Sequence, residues 1–188
     1  MIVFLAIVIV TARLSITSIQ ASQKSLYQQE FANATDLLAL RLNHNGMRAA
    51  QLTMMVLSKR PDREPWREDA NNRSKEIQTI LGTLLERGRD DPQLSRRIAE
   101  YKAIYDIFEQ TRAKQINPLI YEGKIEDAKK IALGIQAERY AKMRDIATAL
   151  GKETEQRART AVAQSEQRAN QSMQIFVVIG AISLLLGV

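Results

Sequence analysis

Two apolar runs at its ends constrain this chain more than any other feature. Residues 1–12 (MIVFLAIVIVTA) are apolar apart from Thr11, and residues 175–188 (IFVVIGAISLLLGV) are apolar apart from Ser183. A membrane-spanning helix needs about 20 apolar residues. Each run is too short alone, so we read the chain as a segment cut from a longer protein inside its two spans. The rival for the first run is a signal peptide, but no Lys or Arg precedes its apolar core and a second apolar run closes the chain. Two spans in one membrane put both ends of the intervening region at the same face of it. The positive-inside rule gives no orientation, because the flanking loops it reads are absent from the sequence.

What lies between the runs is helical by composition. Aromatics make up 5% of the 188 residues and there are 8 Gly and 4 Pro, while Ala, Gln, Glu, Arg, Lys, Leu and Ile dominate, so a β sandwich or a doubly wound α/β sheet is excluded. The length fits one domain. Without cysteine there is no disulfide, thiolate metal site, cysteine nucleophile or c-type haem, and the single histidine, His44, excludes most zinc sites. The net charge of +6 comes from 27 Lys and Arg against 21 Asp and Glu. Both signs alternate, as in Lys59, Arg60, Asp62, Arg63, Glu64, Arg67, Glu68 and Asp69, which describes a solvated surface and not a nucleic-acid interface.

Three sets of breakers divide the interior into four helical stretches. The first is Pro61 to Pro65. The second is Gly88 to Pro92, with Gly88 expected in a left-handed C-terminal cap, Asp91 as N-cap and Pro92 at the first helical position. The third is Asn117, Pro118 and Gly123, Pro118 being expected to kink or end the third helix a turn early. Short turns between long helices make neighbours antiparallel. The fold expected is all-α, an up-down-up-down antiparallel four-helix bundle whose first and last helices continue into the membrane. Its parts are residues 1–21 (first span and juxtamembrane start), 22–173 (extracytoplasmic bundle) and 174–188 (second span).

Residues placed at 100° steps support each helix. The second stretch aligns Trp66, Ala70, Ile77, Ile80 and Leu84, and the third aligns Leu94, Ile98, Tyr101, Tyr105, Phe108, Ile116 and Leu119. In the fourth, Met143, Ala147 and Leu150 give way to Thr154, Ala158, Ala161, Ser165 and Ser172, whose small side chains suit a tight two-helix or dimer contact. The first stretch has two apolar stripes, one of Tyr27, Phe31, Ala34, Leu38, Ala49, Leu52 and Val56, the other of Leu37, Leu40, Met47, Met54 and Met55. Either the two form one wide buried face, or one faces the core and the other a second subunit; we expect a homodimer.

Polar residues interrupt all four stripes. Arg112 lies between Phe108 and Ile116, Arg73 between Ala70 and Ile77, Gln136 and Arg139 in the register of Ile125, Ala132 and Met143. Arg41, His44 and Arg48 are wedged between the two stripes of the first helix. At about 1.5 Å per residue, Arg48, Arg73, Arg112, Gln136 and Arg139 share a level about 16 to 24 Å from the distal turns. Guanidinium groups in an apolar interior need anions and suit carboxylates. The alternative is that their long stems carry the heads to solvent or surface acids. No nucleophile–base set, carboxylate pair, phosphate loop or metal spacing is present, so neither catalysis nor a cofactor is expected.

The span leading into the first helix, the runs Leu42-Asn43-His44-Asn45-Gly46-Met47-Arg48, Ile120-Tyr121-Glu122-Gly123-Lys124-Ile125-Glu126-Asp127-Ala128 and Met143-Arg144-Asp145-Ile146, and the re-entering last helix together resemble the ligand-binding region of a methyl-accepting chemotaxis protein of the four-helix-bundle class. In the similar serine and aspartate receptors, arginines of the first helix hold the ligand carboxylate across the dimer interface. Arg48 matches one of them, while His44 and Ala39 stand where two others are expected, with Arg41 close by. The resemblance implies a periplasmic sensor in a bacterial inner membrane, dimeric, taking a small anion, organic acid or amino acid, at the interface or inside one bundle. It also implies a piston-like shift of the last helix. The same sensor on a histidine kinase or diguanylate cyclase, or an adaptor bundle binding a protein, are the alternatives.

Overall fold

A computed structural model describes the backbone of residues 2–186 and the side chains of residues 8–182. Met1 and residues 187–188, parts of the two apolar runs, lie outside the described residues. α1 (Ile2–Ser25) passes through a π-helical turn, Leu26–Phe31, into α2 (Ala32–Val56). Then come α3 (Arg60–Arg87), α4 (Pro92–Thr111), a second π-helical turn (Arg112–Ile116), α5 (Asn117–Tyr121), α6 (Ile125–Leu133) and α7 (Ile135–Leu186). Among the described residues there is no strand. The connections after α2, α3 and α5 reverse the chain, giving an up-down-up-down antiparallel four-helix bundle.

The breakers act with local differences from the sequence reading. Asp91 caps α4 by accepting from the backbone N–H of Gln93 and Leu94 at 3.1 and 3.0 Å, with Pro92 beginning the helix. Gly88 is not left-handed (φ −83°), because the Gly88 N–H returns to the Leu84 carbonyl at 2.9 Å with ordinary backbone angles. The left-handed glycine is Gly123, φ 77°, in the turn after α5. The first reversal comes before Pro61, which lies in the first turn of α3 where its missing N–H costs nothing, and Pro65 is inside that helix. Pro118 does not end the third helix: the chain widens into the π-helical turn just before it and resumes as α5. At Gly134, between α6 and α7, a Cβ would lie 2.7 Å from the Lys130 carbonyl oxygen, so only glycine fits that break.

The chain divides into two compact units, Asn33–Glu153 and the pair Met1–Ala32 with Thr154–Val188. The Asn33–Glu153 unit holds the core. Leu37, Leu40, Met47, Ile77, Leu81, Leu84, Ile98, Tyr101, Tyr105, Phe108, Met143 and Leu150 are buried together, and Met54, Met55, Ile116, Ile120, Ala128 and Ala132 form a second cluster. On α2 the buried stripe is the one containing Leu37, Leu40 and Met47, whereas Leu38 and Val56 of the other stripe are 55% and 81% exposed. On α3 the interior position between Ala70 and Ile77 belongs to Ser74, bonded at 2.8 Å to the Tyr105 hydroxyl, and Trp66 points outward. Arg63 is buried as well; its guanidinium donates to the carbonyls of Leu57 (2.8 Å) and Ile120 (2.7 Å), placing one cation on the ends of two helices.

In the second unit, the Ser172 hydroxyl donates to the Ser15 hydroxyl at 2.9 Å, and Tyr27 stacks on Phe31 with ring centroids 5.5 Å apart. Ala158, Ala161, Ser165 and Ser172 of α7 are each half-buried, a small-residue face with a 3.6-residue period. Among the described residues no helix is long and apolar enough to cross a membrane.

Candidate functional site

Position 44 of α2 is an interior position, and it carries a histidine. His44 is 3% exposed, with its ring centroid 4.9 Å from that of Phe108, 5.0 Å from Tyr140 and 6.3 to 6.4 Å from Tyr105 and Tyr101. Its Nδ1 lies 3.2 Å from the Tyr101 hydroxyl, and its Nε2 is buried with no hydrogen-bond partner. Burial, and secondly the charge of Arg48, bring its pKa down to about 4, so the imidazole is neutral at physiological pH. Burial also raises the Tyr101 phenol, as do the nearby Tyr105 and Tyr140, and it stays protonated. Arg48 itself lies over the Tyr140 ring, 4.7 Å from its centroid, a cation–π contact.

Beside this histidine is a cavity of about 150 Å³, lined by Arg41, His44 and Asn45 from α2, Tyr101 from α4, and Tyr140, Arg144 and Ala147 from α7. The Tyr140 hydroxyl donates to Asn45 Oδ1 and ties α7 to α2 at its edge. Arg41 and Arg144 are exposed. No carboxylate lines the cavity.

The seven residues picked from the sequence do not meet in one place. Arg41 and His44 line the cavity and Arg48 packs on its Tyr140 wall. Gln136 and Arg139 bond to each other and to the last turn of α4, and Arg112 bonds to Glu109 and Asn71. Arg112, 1% exposed, donates from Nε and Nη2 to the two Glu109 carboxylate oxygens at 2.7 and 2.6 Å and from Nη2 to Asn71 Oδ1 at 2.9 Å. Gln136 Nε2 donates to the Phe108 carbonyl at 2.8 Å, while Arg139 Nη1 donates to Gln136 Oε1 and Thr111 Oγ1, both at 2.9 Å. Arg73 is half-buried, bonded to Asp69 at 2.8 Å and to Asn43 at 3.3 Å. Arg73 and Arg112 thus take acids three or four residues back on their own helices, a spacing that supplies a counter-charge without any ligand.

Asn45, Tyr101, Tyr140, Arg144 and Ala147 are cavity residues the sequence reading did not select. A signal for them exists: Arg41, His44 and Asn45 are spaced i, i+3, i+4, and Tyr140, Arg144 and Ala147 i, i+4, i+7, each a single helix face. What the spacing lacks is any mark that the two faces meet.

No curated protein and no solved structure matches the chain. Its residues 1–169 match the family described as the four helix bundle sensory module for signal transduction, and with the bundle and its cationic, aromatic-walled cavity in view, the chain belongs to that family.

Proposed function

We propose that this chain is the extracytoplasmic sensor module of a bacterial chemoreceptor, anchored in the inner membrane by the helices that contain its two apolar runs. It binds a small anion and passes the signal on by a displacement of α7. The observation that carries this reading is the continuity of α7: Tyr140, Arg144 and Ala147 line the cavity, and the same helix runs without a break from Ile135 to Leu186. A ligand that draws these three side chains toward α2 acts directly on the element that leads into the second apolar run. The exposed stripe of α2, with Leu38 and Val56, supports a homodimer built along that helix.

The test uses the whole chain in nanodiscs, melted with a panel of small carboxylates, inorganic anions and amino acids. A ligand at 100 times its dissociation constant stabilises the folded state by about 2.7 kcal/mol. A panel in which no compound raises the melting temperature overturns the sensor reading. Cysteines at the exposed Ser58 and Asp90 are expected to label from the same side of the membrane, and Leu38→Cys to cross-link between subunits.

A further inference from the structure

The ionised residues lining the cavity between α2, α4 and α7 carry one sign of charge. Both, Arg41 and Arg144, are cations. Arg41 has no ion pair among the described residues, and Arg144 is paired with its exposed neighbour Asp145, a pairing of little worth in water. An anion entering here meets available guanidinium groups. An ammonium group meets two cations and no carboxylate in the cavity wall. The Tyr140 ring already carries one cation, the Arg48 guanidinium.

Size and the inner wall narrow the class further. A volume of about 150 Å³ accommodates roughly one six-membered ring or a chain of a few carbons. The inner wall is His44 and Tyr101, and when the Tyr101 O–H donates to Nδ1, the unpartnered Nε2 carries the proton of the neutral imidazole and is a hydrogen-bond donor. A buried donor with no acceptor is costly.

We propose that the cavity binds a small monocarboxylate lacking an amino group, within a single protomer, with Arg41 and Arg144 holding the carboxylate and the aromatic wall of His44, Tyr101 and Tyr140 meeting its body. This rests on the reading of the chain as a small-ligand sensor and adds the ligand class and the place. An α-amino acid of the same carbon skeleton is discriminated against by the two arginines.

The experiment is titration calorimetry on the whole chain in nanodiscs, with propionate, butyrate and benzoate set against L-alanine and L-2-aminobutyrate. The expected result is one site per chain, with propionate or butyrate binding at least tenfold tighter than its amino counterpart. Arg41→Gln/Arg144→Gln, two exposed positions, is expected to abolish that binding and leave the melting temperature of the empty protein unchanged. Arg60→Gln in the first turn of α3 leaves both unchanged. An amino acid binding as tightly as its parent acid, or acid binding that survives the double substitution, overturns the proposal while leaving a small-ligand sensor intact. Failure of all three acids overturns it too, and the sensor reading falls with it only when the wider panel of anions and amino acids also fails.

Discussion

Arg112 and Glu109 form a two-pronged ion pair across one helical turn, the guanidinium 1% exposed and the carboxylate 19% exposed. The pair converts what reads in the sequence as a lone cation in the core into a neutral unit. Breaking a buried pair by deleting one partner leaves the other charge uncompensated, which costs about 3 kcal/mol. Glu109→Gln is therefore expected to destabilise the bundle by about that amount in denaturant titrations. Arg112→Leu costs less, because the more accessible Glu109 keeps some hydration, and the double variant recovers most of the loss. A neutral Glu109→Gln would show that water, and not Glu109, satisfies the guanidinium.

His44 makes stability pH-dependent. Its ordinary pKa of 6.5 falls to about 4 in the fold, through burial and the Arg48 charge. Between these values the unfolded chain binds the proton and the folded chain does not. Stability is thus full above about pH 6.5, declines as pH falls toward 4 and levels off below, by about 3 kcal/mol in total. Denaturant midpoints of the parent and of His44→Gln, measured from pH 7.5 to 4, are expected to differ in slope over this window. Parallel curves would mean that the imidazole takes up its proton in place.

Gly46 and Arg73 are in van der Waals competition. A Cβ on Gly46 would lie 2.5 Å from the Arg73 guanidinium carbon. In a helix interior Gly→Ala gains about 1 kcal/mol. In an Arg73→Ala background Gly46→Ala is expected to deliver that gain in thermal melts. With Arg73 present the gain shrinks, since the guanidinium must leave Asp69 and Asn43. Equal effects in the two backgrounds would show that Arg73 shifts aside without cost.

Asp91 accepts two backbone N–H groups at the start of α4. Asp91→Ala is expected to lower stability by about 1 kcal/mol, whereas Asp91→Asn or Asp91→Ser retains most of it. Unfolding free energies of the three variants check this. Equal losses in all three would assign the effect to the Asp91 charge and not to its capping bonds.

Much of the fold is legible in the one-dimensional pattern, because helix faces repeat at a fixed angle and turn residues are local chemistry. The stripes from Leu94 to Ile116 and from Leu37 to Met55, the Asp91–Pro92 helix start and the four-helix count all follow from spacing and composition alone. Where the sequence reading departed from the structure, long-range or fine backbone geometry was the cause: the widened turn before Pro118, the ordinary angles of Gly88, and Ser74 in place of Arg73 in the interior. The site was less legible for the same reason. Sequence shows that Arg41, His44, Arg48, Arg112 and Arg139 sit among apolar neighbours, but whether a guanidinium is answered by its own helix, as Arg112 is by Glu109, or lines a cavity, as Arg41 does, depends on rotamers and on which helix packs opposite. That His44 of α2 meets Tyr101 of α4 and Tyr140 of α7 was decided by tertiary packing alone, since three helix faces far apart in the chain come into contact only when the bundle closes.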